Sequence, residues 1–433
     1  MTALKIVVSG AAGQIAYSLL PLICIGHVFG PNQHVELRLL DIPPAQEALE
    51  GVKMELQDCA FNLVDAIIPT SDLEVAFKEV DVAILVGGFP RKQGMQRKDL
   101  IEKNVTIFKA QGGAIEKFAS RNVKVLVVAN PANTNCLIAM ENAPSIPRKN
   151  FSALTRLDHE RLRSFLVEKV NEKQSNKVTS KDVTKCIIWG NHSSTQVPDV
   201  SYAEVKLSNA TNAEPLTKFV TDADWIENKL VKDVQERGAA IIKARKLSSA
   251  MSAAAAIGAH VRDWFNGSKD GEYTSMAICS DGNKYGVPEG LIYSFPVKCT
   301  GAGAYEVING LPISPRIDAM MKATATELTE EKADAMEILS RQIMATVLQR
   351  VKDKRLTSAQ ECESRVVFEL ATEGSNKMTV KQLKMCLRAL GFNIAKGEAQ
   401  TLVYEFDYTD TATIDLVDFQ KIFLSKSHSG QRL

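Results

Sequence analysis

The sequence carries no surplus of either charge. Lys and Arg total 52 and Asp and Glu 51, a formal net charge of +1. That excludes a global field for a polyanion or an acidic membrane, so neither nucleic acid nor a membrane is an expected partner. Any anion recognition has to come from a local cluster of cations. Paired cysteines are missing as well. Eight cysteines are scattered from Cys24 to Cys386, with no C-x-x-C pair and no histidines beside them at zinc spacing. This excludes a structural zinc module and suits a reducing compartment. No basic-then-apolar segment precedes the strand-like run at 4–9. The apolar stretch at 19–25 is short and contains Pro21, so it does not span a bilayer. The cytoplasm is the expected location. Low-complexity tracts and solenoid repeats are absent too.

What is present is the balance of a globular protein, 45% hydrophobic and 24% charged over 433 residues, long enough for two or three domains. The first part alternates apolar runs at 6–8, 36–40, 82–86 and 123–128 with amphipathic stretches at 45–59 and 101–120. Buried parallel strands alternating with helices predict an α/β fold with a doubly wound parallel sheet. From 156 to 340 the pattern mixes helices at 158–170 and 233–260 with strands at 185–189, 200–206, 274–279 and 291–298, a mixed α+β domain. Residues 341–433 read as all-helical. The expected domains are 1–155, 156–340 and 341–433.

The run Gly10-Ala11-Ala12-Gly13-Gln14-Ile15-Ala16 leaves the first strand and opens a helix. Gly10 permits a tight turn. Ala12 and Gly13 let backbone N–H groups approach a pyrophosphate at the helix N-terminus. The strict G-x-G-x-x-G spacing is not met, and a plain glycine turn is the alternative. Asp41 ends the next strand, where an acid accepts hydrogen bonds from the adenosine ribose and repels a 2′-phosphate, favouring NAD over NADP.

Four further segments carry chemistry. The loop Gly87-Gly88-Phe89-Pro90-Arg91-Lys92-Gln93-Gly94-Met95-Gln96-Arg97 combines glycines able to close over a cleft with two arginines for a carboxylate or carbonyl. Val128-Ala129-Asn130-Pro131-Ala132-Asn133-Thr134 sets an asparagine at a strand end. In Thr155-Arg156-Leu157-Asp158-His159-Glu160-Arg161, Asp158 and Arg161 share a helix face, and Arg161 offers a planar fork for a carboxylate. His192 follows an apolar strand in Trp189-Gly190-Asn191-His192-Ser193-Ser194-Thr195; a carboxylate on its Nδ1–H would fix the tautomer and raise its basicity. Each alone has a bland alternative: a solvated basic loop, an ordinary turn, a surface ion pair, a structural histidine.

Together, and in this order, these segments resemble cytosolic malate dehydrogenase over residues 1–340. The resemblance implies reversible NAD-dependent hydride transfer between L-malate and oxaloacetate, in a homodimer. It implies that residues 10–16 hold the pyrophosphate and Asp41 the ribose. Asn104, Gln111 and the Val128, Ala129 and Asn130 backbone would line the NAD site, with Asn130 also touching substrate. His192 would be the acid–base group paired with Asp158. Arg161 would grip the carboxylate beside the reacting carbon and Arg91 the far one, while Arg97 polarises the carbonyl. Ser248 or Ser249 would lie at the substrate pocket. A four-carbon diacid needs a cation at each end, whereas a lactate-type or other 2-hydroxy acid site would tolerate a neutral side chain at 91.

Enzymes of this type usually end near 327–340. Here residues 341–433 follow, and 368–392 with 406–419 resemble a centrin- or calmodulin-type EF-hand pair with loops at 371–382 and 407–418. Met378 and Ile414 fill the apolar eighth positions. The first loop has Ala371 and Gln382 where calcium needs carboxylates; the second keeps Asp407 and Asp418 with little between. The expectation is no metal site, and a calcium-free helical pair docking on the enzyme, on itself or on another protein. A regulatory or scaffolding protein acting through this tail stands as the alternative function.

Overall fold

The structure, a computed structural model, describes residues 2–89, 97–174, 177–353, 356–395, 397–407 and 411–428. The chain divides into two compact units, Met1–Ile338 and Leu339–Leu433.

In the first unit a nine-stranded sheet runs in the order β14-β13-β12-β6-β5-β4-β1-β2-β3. Strands β1 (Leu4–Ser9), β2 (Val35–Leu40), β3 (Val64–Thr70), β4 (Val82–Leu85), β5 (Lys124–Val127) and β6 (Phe151–Ala153) are parallel. Strands β12 (Thr274–Cys279), β13 (Ile292–Gly301) and β14 (Ala304–Val307) extend the sheet antiparallel. The central parallel strands are buried along nearly their whole length because helices cover them. These helices are α1 (Gln14–Cys24), α2 (Gln46–Asp58), α3 (Leu73–Phe77), α4 (Arg97–Phe118) and α5 (Ala132–Glu141). Strand β3 went unanticipated: Asp65 and Pro69 interrupt its apolar pattern, which an edge strand tolerates.

Strand β1 lies between β2 and β4, so the connections leaving its end and that of β4 diverge there. They touch at two glycines. A Cβ on Gly10, whose φ is +66°, would stand 2.6 Å from the Gly87 Cα. The sheet's switch point, where open α/β proteins bind ligands, depends on that close approach.

The remainder of the unit packs α6 (Arg156–Asn171), α7 (Leu230–Arg245) and α8 (Met251–Asn266) with small sheets. Strands β7 (Val183–Thr184), β10 (Glu204–Val205) and β11 (Glu214–Pro215) form one; β8 (Ile187–Trp189) and β9 (Val197–Asp199) form another. Three expectations are corrected. The single helix expected at 233–260 is two, because Lys246 turns left-handed at φ +61° and ends α7. Of the strand expected at 185–189, only Ile187–Trp189 forms, because Lys185 turns left-handed at φ +57° just after β7. Of the strand expected at 200–206, only Glu204–Val205 pairs.

Helix α9 (Pro315–Asp353) contains the division between the units. The second unit has α10 (Ser358–Thr372), α11 (Val380–Ala389), α12 (Glu398–Phe406) and α13 (Leu416–His428) around Phe368, Leu387, Phe419 and Phe423. Contrary to the all-helical expectation from the sequence, it is not purely helical. Strands β15 (Met378–Thr379) and β16 (Thr413–Ile414) pair antiparallel, with Met378 opposite Ile414.

Candidate functional site

A cleft of about 590 Å³ opens where β1, β4 and β5 end. Ile15, Gly88, Phe89, Val128, Ala129 and Asn130 line one side, and Arg161, His192, Lys246, Ser248 and Ser249 the other. A larger depression of about 1000 Å³ runs along α6 and α8. It shares Arg161 and Leu157 with the cleft but lacks His192, so the chemistry belongs to the smaller space.

At the nucleotide end, Gly13 caps α1. The amides offered by the sequence are used inside the protein: Ala11 N–H donates to the Leu40 carbonyl at 3.2 Å, Ala12 N–H to Asp41 Oδ2 at 3.0 Å and Gly13 N–H to the Gly10 carbonyl at 3.0 Å. Within α1 the amides of Gln14, Ile15 and Ala16 have no preceding helical carbonyl to bond. Asp41 thus ties the turn to β2, its Oδ1 accepting from Ile42 N–H at 2.8 Å. Each carboxylate oxygen keeps capacity for a sugar hydroxyl. A turn packed too tightly for a Cβ at Gly10, a helix N-terminus and a half-exposed carboxylate together fit a dinucleotide.

Two expected nucleotide contacts sit elsewhere. Asn104 is fully buried, and its amide holds the loop stem: Oδ1 accepts from Phe89 N–H at 2.9 Å, and Nδ2 donates to the Leu100 carbonyl at 2.9 Å. Gln111 is buried on α4, and neither residue lines the cleft.

At the chemical end, Asp158 is fully buried in the first turn of α6. A carboxylate only accepts, so the His192 Nδ1 donates to its Oδ2. The Asp158 Oδ1 accepts from Arg161 Nη1 at 3.3 Å. Arg161 Nη2 donates to Ser249 Oγ at 3.2 Å, so Ser249, rather than Ser248, fixes the guanidinium. Among the described residues the buried Arg161 Nε has no partner. Burial lowers the Arg161 pKa from its ordinary value, partly offset by Asp158. The break after α7 places both serines at the cleft, and a continuous helix would not.

Arg91 lies outside the described residues, and Arg97 enters only as the first residue of α4. Sequence reasoning passed over Asn133, whose Oδ1 accepts the His192 N–H at 3.0 Å. It also passed over Asn191, Glu327 and Glu331 behind the histidine. Their only signal was position inside or beside motifs already noted.

A dinucleotide turn at a parallel switch point, joined to a second domain that brings an imidazole and a buried guanidinium to the same cleft, defines a nicotinamide-dependent oxidoreductase. The chain belongs to the lactate/malate dehydrogenase family. Residues 4–152 match that family's NAD binding domain and 155–339 its alpha/beta C-terminal domain, so NAD is the cofactor. The chain is 55% identical over 337 residues to cytoplasmic malate dehydrogenase of Gallus gallus, covering 78% of this chain and 98% of that one. Among solved structures, malate dehydrogenase from Naegleria fowleri is 47% identical with a TM-score of 0.72, over 78% of this chain and 99% of that one. A Trichomonas vaginalis lactate dehydrogenase, solved with NADH and oxamate, is 36% identical with a TM-score of 0.73, over 78% and 100%. The chain is of the cytoplasmic type, and no helix among its described residues is long and apolar enough to cross a membrane.

Proposed function

We propose that this protein interconverts L-malate and oxaloacetate, with His192 and Asp158 as the acid–base pair. The observation that carries this reading is Asp158 serving His192 and Arg161 at once in one cleft. Bound NAD supplies the hydride acceptor for malate oxidation, and its reduced form the donor in reverse. The turn at 10–16, the Asp41 carboxylate and the 128–130 backbone would hold it. Asp158 keeps the proton on Nδ1, leaving Nε2 to take the substrate hydroxyl proton. It then stabilises the imidazolium that forms, and the same proton returns during oxaloacetate reduction. Arg161, with donors left after Asp158 and Ser249, grips the carboxylate beside the reacting carbon. Arg91 takes the far carboxylate, Arg97 polarises the carbonyl, and Asn130 and Ser248 border the substrate. The nucleotide section is 1–155, the substrate section 156–340 and the addition 341–433.

The chain works as a homodimer. Tyr17, Met54 and Met251 stand 52%, 59% and 80% exposed on α1, α2 and α8, large apolar side chains available to a second copy. Sedimentation at micromolar concentration giving only monomer would dismiss this.

The addition is a calcium-free EF-hand pair. Its support is the Met378–Ile414 pairing between two helix–loop–helix segments. In the first loop, the Gln382 amide donates to the Ala371 carbonyl at 2.7 Å, joining the loop's first and last positions where a cation would otherwise do so. In the second, Asp407 accepts from the Ala412 N–H, and Lys421 Nζ donates to Asp418 at 3.0 Å. The unit offers a surface for a protein partner. A scaffold with a vestigial enzyme is not favoured, because the similarity runs through 98% of a cytoplasmic malate dehydrogenase. An assay with NADH and oxaloacetate on the full chain and on one ending at Ser340 tests the reading. Turnover is expected from both; silence from both would reject the assigned reaction.

A further inference from the structure

His192 sits in a loop that rests on helix α9. Gly190 marks the contact: at φ +89°, a Cβ there would stand 2.2 Å from Thr324 Cγ2. Its neighbour Asn191 is 1% exposed, and its N–H donates to Thr324 Oγ1 at 3.0 Å. The Asn191 side-chain amide uses both hydrogens on α9, one to Glu331 Oε1 at 2.9 Å and one to Glu327 Oε2 at 2.8 Å. Glu331 is itself only 3% exposed. Its other oxygen accepts from the Thr134 hydroxyl. Thr134 lies in the first turn of α5, directly after Asn130 and Pro131. One buried carboxylate therefore joins the loop carrying His192 to the helix that starts behind Asn130.

We propose that Glu331 is a positioning residue for the reaction, holding His192 and Asn130 at a fixed separation through Asn191 and Thr134. The inference rests on the acid–base reading of His192. Glu331 does not line the cleft, so it acts only through the groups it binds. A carboxylate suits the task because it has no donor of its own. The Asn191 amide and the Thr134 hydroxyl must both turn towards it, which leaves one orientation for each. Glu327, one turn away, clamps the far side of the loop: its Oε2 also accepts from Ser193 Oγ and Thr195 Oγ1, both at 2.6 Å. The Asn133 amide adds a third tie, donating to the Ile292 carbonyl at 2.8 Å while accepting the His192 N–H. The imidazole thus has little freedom to drift, and drift of about 1 Å costs on the order of a hundredfold in rate.

The test uses the full chain, with oxaloacetate reduction for kcat and NADH fluorescence for cofactor affinity. Glu331→Ala leaves two buried polar groups without their shared acceptor; kcat should fall roughly 10- to 100-fold while the NADH Kd stays within about twofold. Glu331→Gln keeps one acceptor, and its amide can donate to a rotated Thr134 hydroxyl, so most of the rate should return. Thr134→Val cuts one arm without shrinking the side chain and should lower kcat by several-fold at unchanged NADH Kd; it decides the matter if Glu331→Ala does not fold. Normal kcat in Glu331→Ala and Thr134→Val overturns the proposal, as does cofactor affinity falling in step with rate, or Glu331→Gln no better than alanine. His192→Gln runs alongside: if it still turns over, the acid–base reading itself has failed, whereas a dead His192→Gln beside an unaffected Glu331→Ala rejects only the positioning role.

Discussion

The buried carboxylate of Asp158 accepts the Nδ1 proton of His192, a residue 34 positions further along the chain. With its second oxygen it holds Arg161. On the proposed reading, the acid–base group and the cation for the substrate are thereby set by one side chain on one helical turn. Replacing Asp158 by Asn offers the imidazole an amide in place of an acceptor-only group. The wrong tautomer is then stabilised and the imidazolium loses its counter-charge. Asp158→Asn should lower kcat for oxaloacetate reduction on the order of a thousandfold, with NADH binding little changed. Stopped-flow and fluorescence titration measure the two separately, and an unaltered kcat would remove Asp158 from the mechanism.

Arg91 is the residue assigned to the far carboxylate. Losing a charged hydrogen bond in a closed site costs about 2–5 kcal/mol. Arg91→Gln should therefore reduce kcat/KM for oxaloacetate by about a hundredfold or more while leaving NADH affinity intact. Oxaloacetate reduction surviving that change at full rate would show the substrate class to be misassigned.

Two buried histidines give the fold an acid limit. Burial first, then the Arg156 charge, holds His159 and His260 down at about 3. The His159 Nδ1 meets Ser275 Oγ at 2.9 Å, while neither nitrogen of His260 has a hydrogen-bond partner among the described residues. An unfolded histidine takes up its proton near pH ~6.5. Between that value and about 3 the unfolded chain binds more protons than the folded one, so stability is full above ~6.5 and declines as pH falls. From pH ~7 to ~5 each histidine withdraws about 2 kcal/mol. His260→Leu should remove one such share. Urea midpoints at the two pH values will show it, and an identical acid loss in wild type and variant would contradict the assignment.

The tail is expected to ignore calcium. Swapping millimolar calcium for chelator should leave the circular-dichroism melting curve and oxaloacetate turnover unchanged. Gln382→Ala breaks the link to Ala371 and the capping box with Thr379, and should destabilise the tail by about 1–2 kcal/mol. A melting shift of several degrees on adding calcium would reinstate a working metal loop.

Much of the dehydrogenase was legible because its signals are local. Strands β1, β2, β4 and β5 are buried between helices and so leave apolar runs in the chain. Gly10, Asp158, Arg161 and His192 lie in short segments that carry meaning only in combination, and the fold brings Asp158, Arg161 and His192 together. Where elements stop was harder to see. The turn at Lys246 that brings Ser249 to Arg161 is a left-handed backbone at a residue with no strong turn preference.

The amino-acid order by itself determined where most of the buried central strands and the amphipathic helices lie and which side chains could do chemistry, since both depend largely on neighbours within a turn or two. Only the tertiary structure decided that Asn191 meets Glu331, 140 residues away, that Ala12 donates to Asp41, and that Met378 lies opposite Ile414. Such partnerships follow from how whole elements pack. A buried donor bonds whichever acceptor the fold delivers to it, and that choice is not written in the residues on either side.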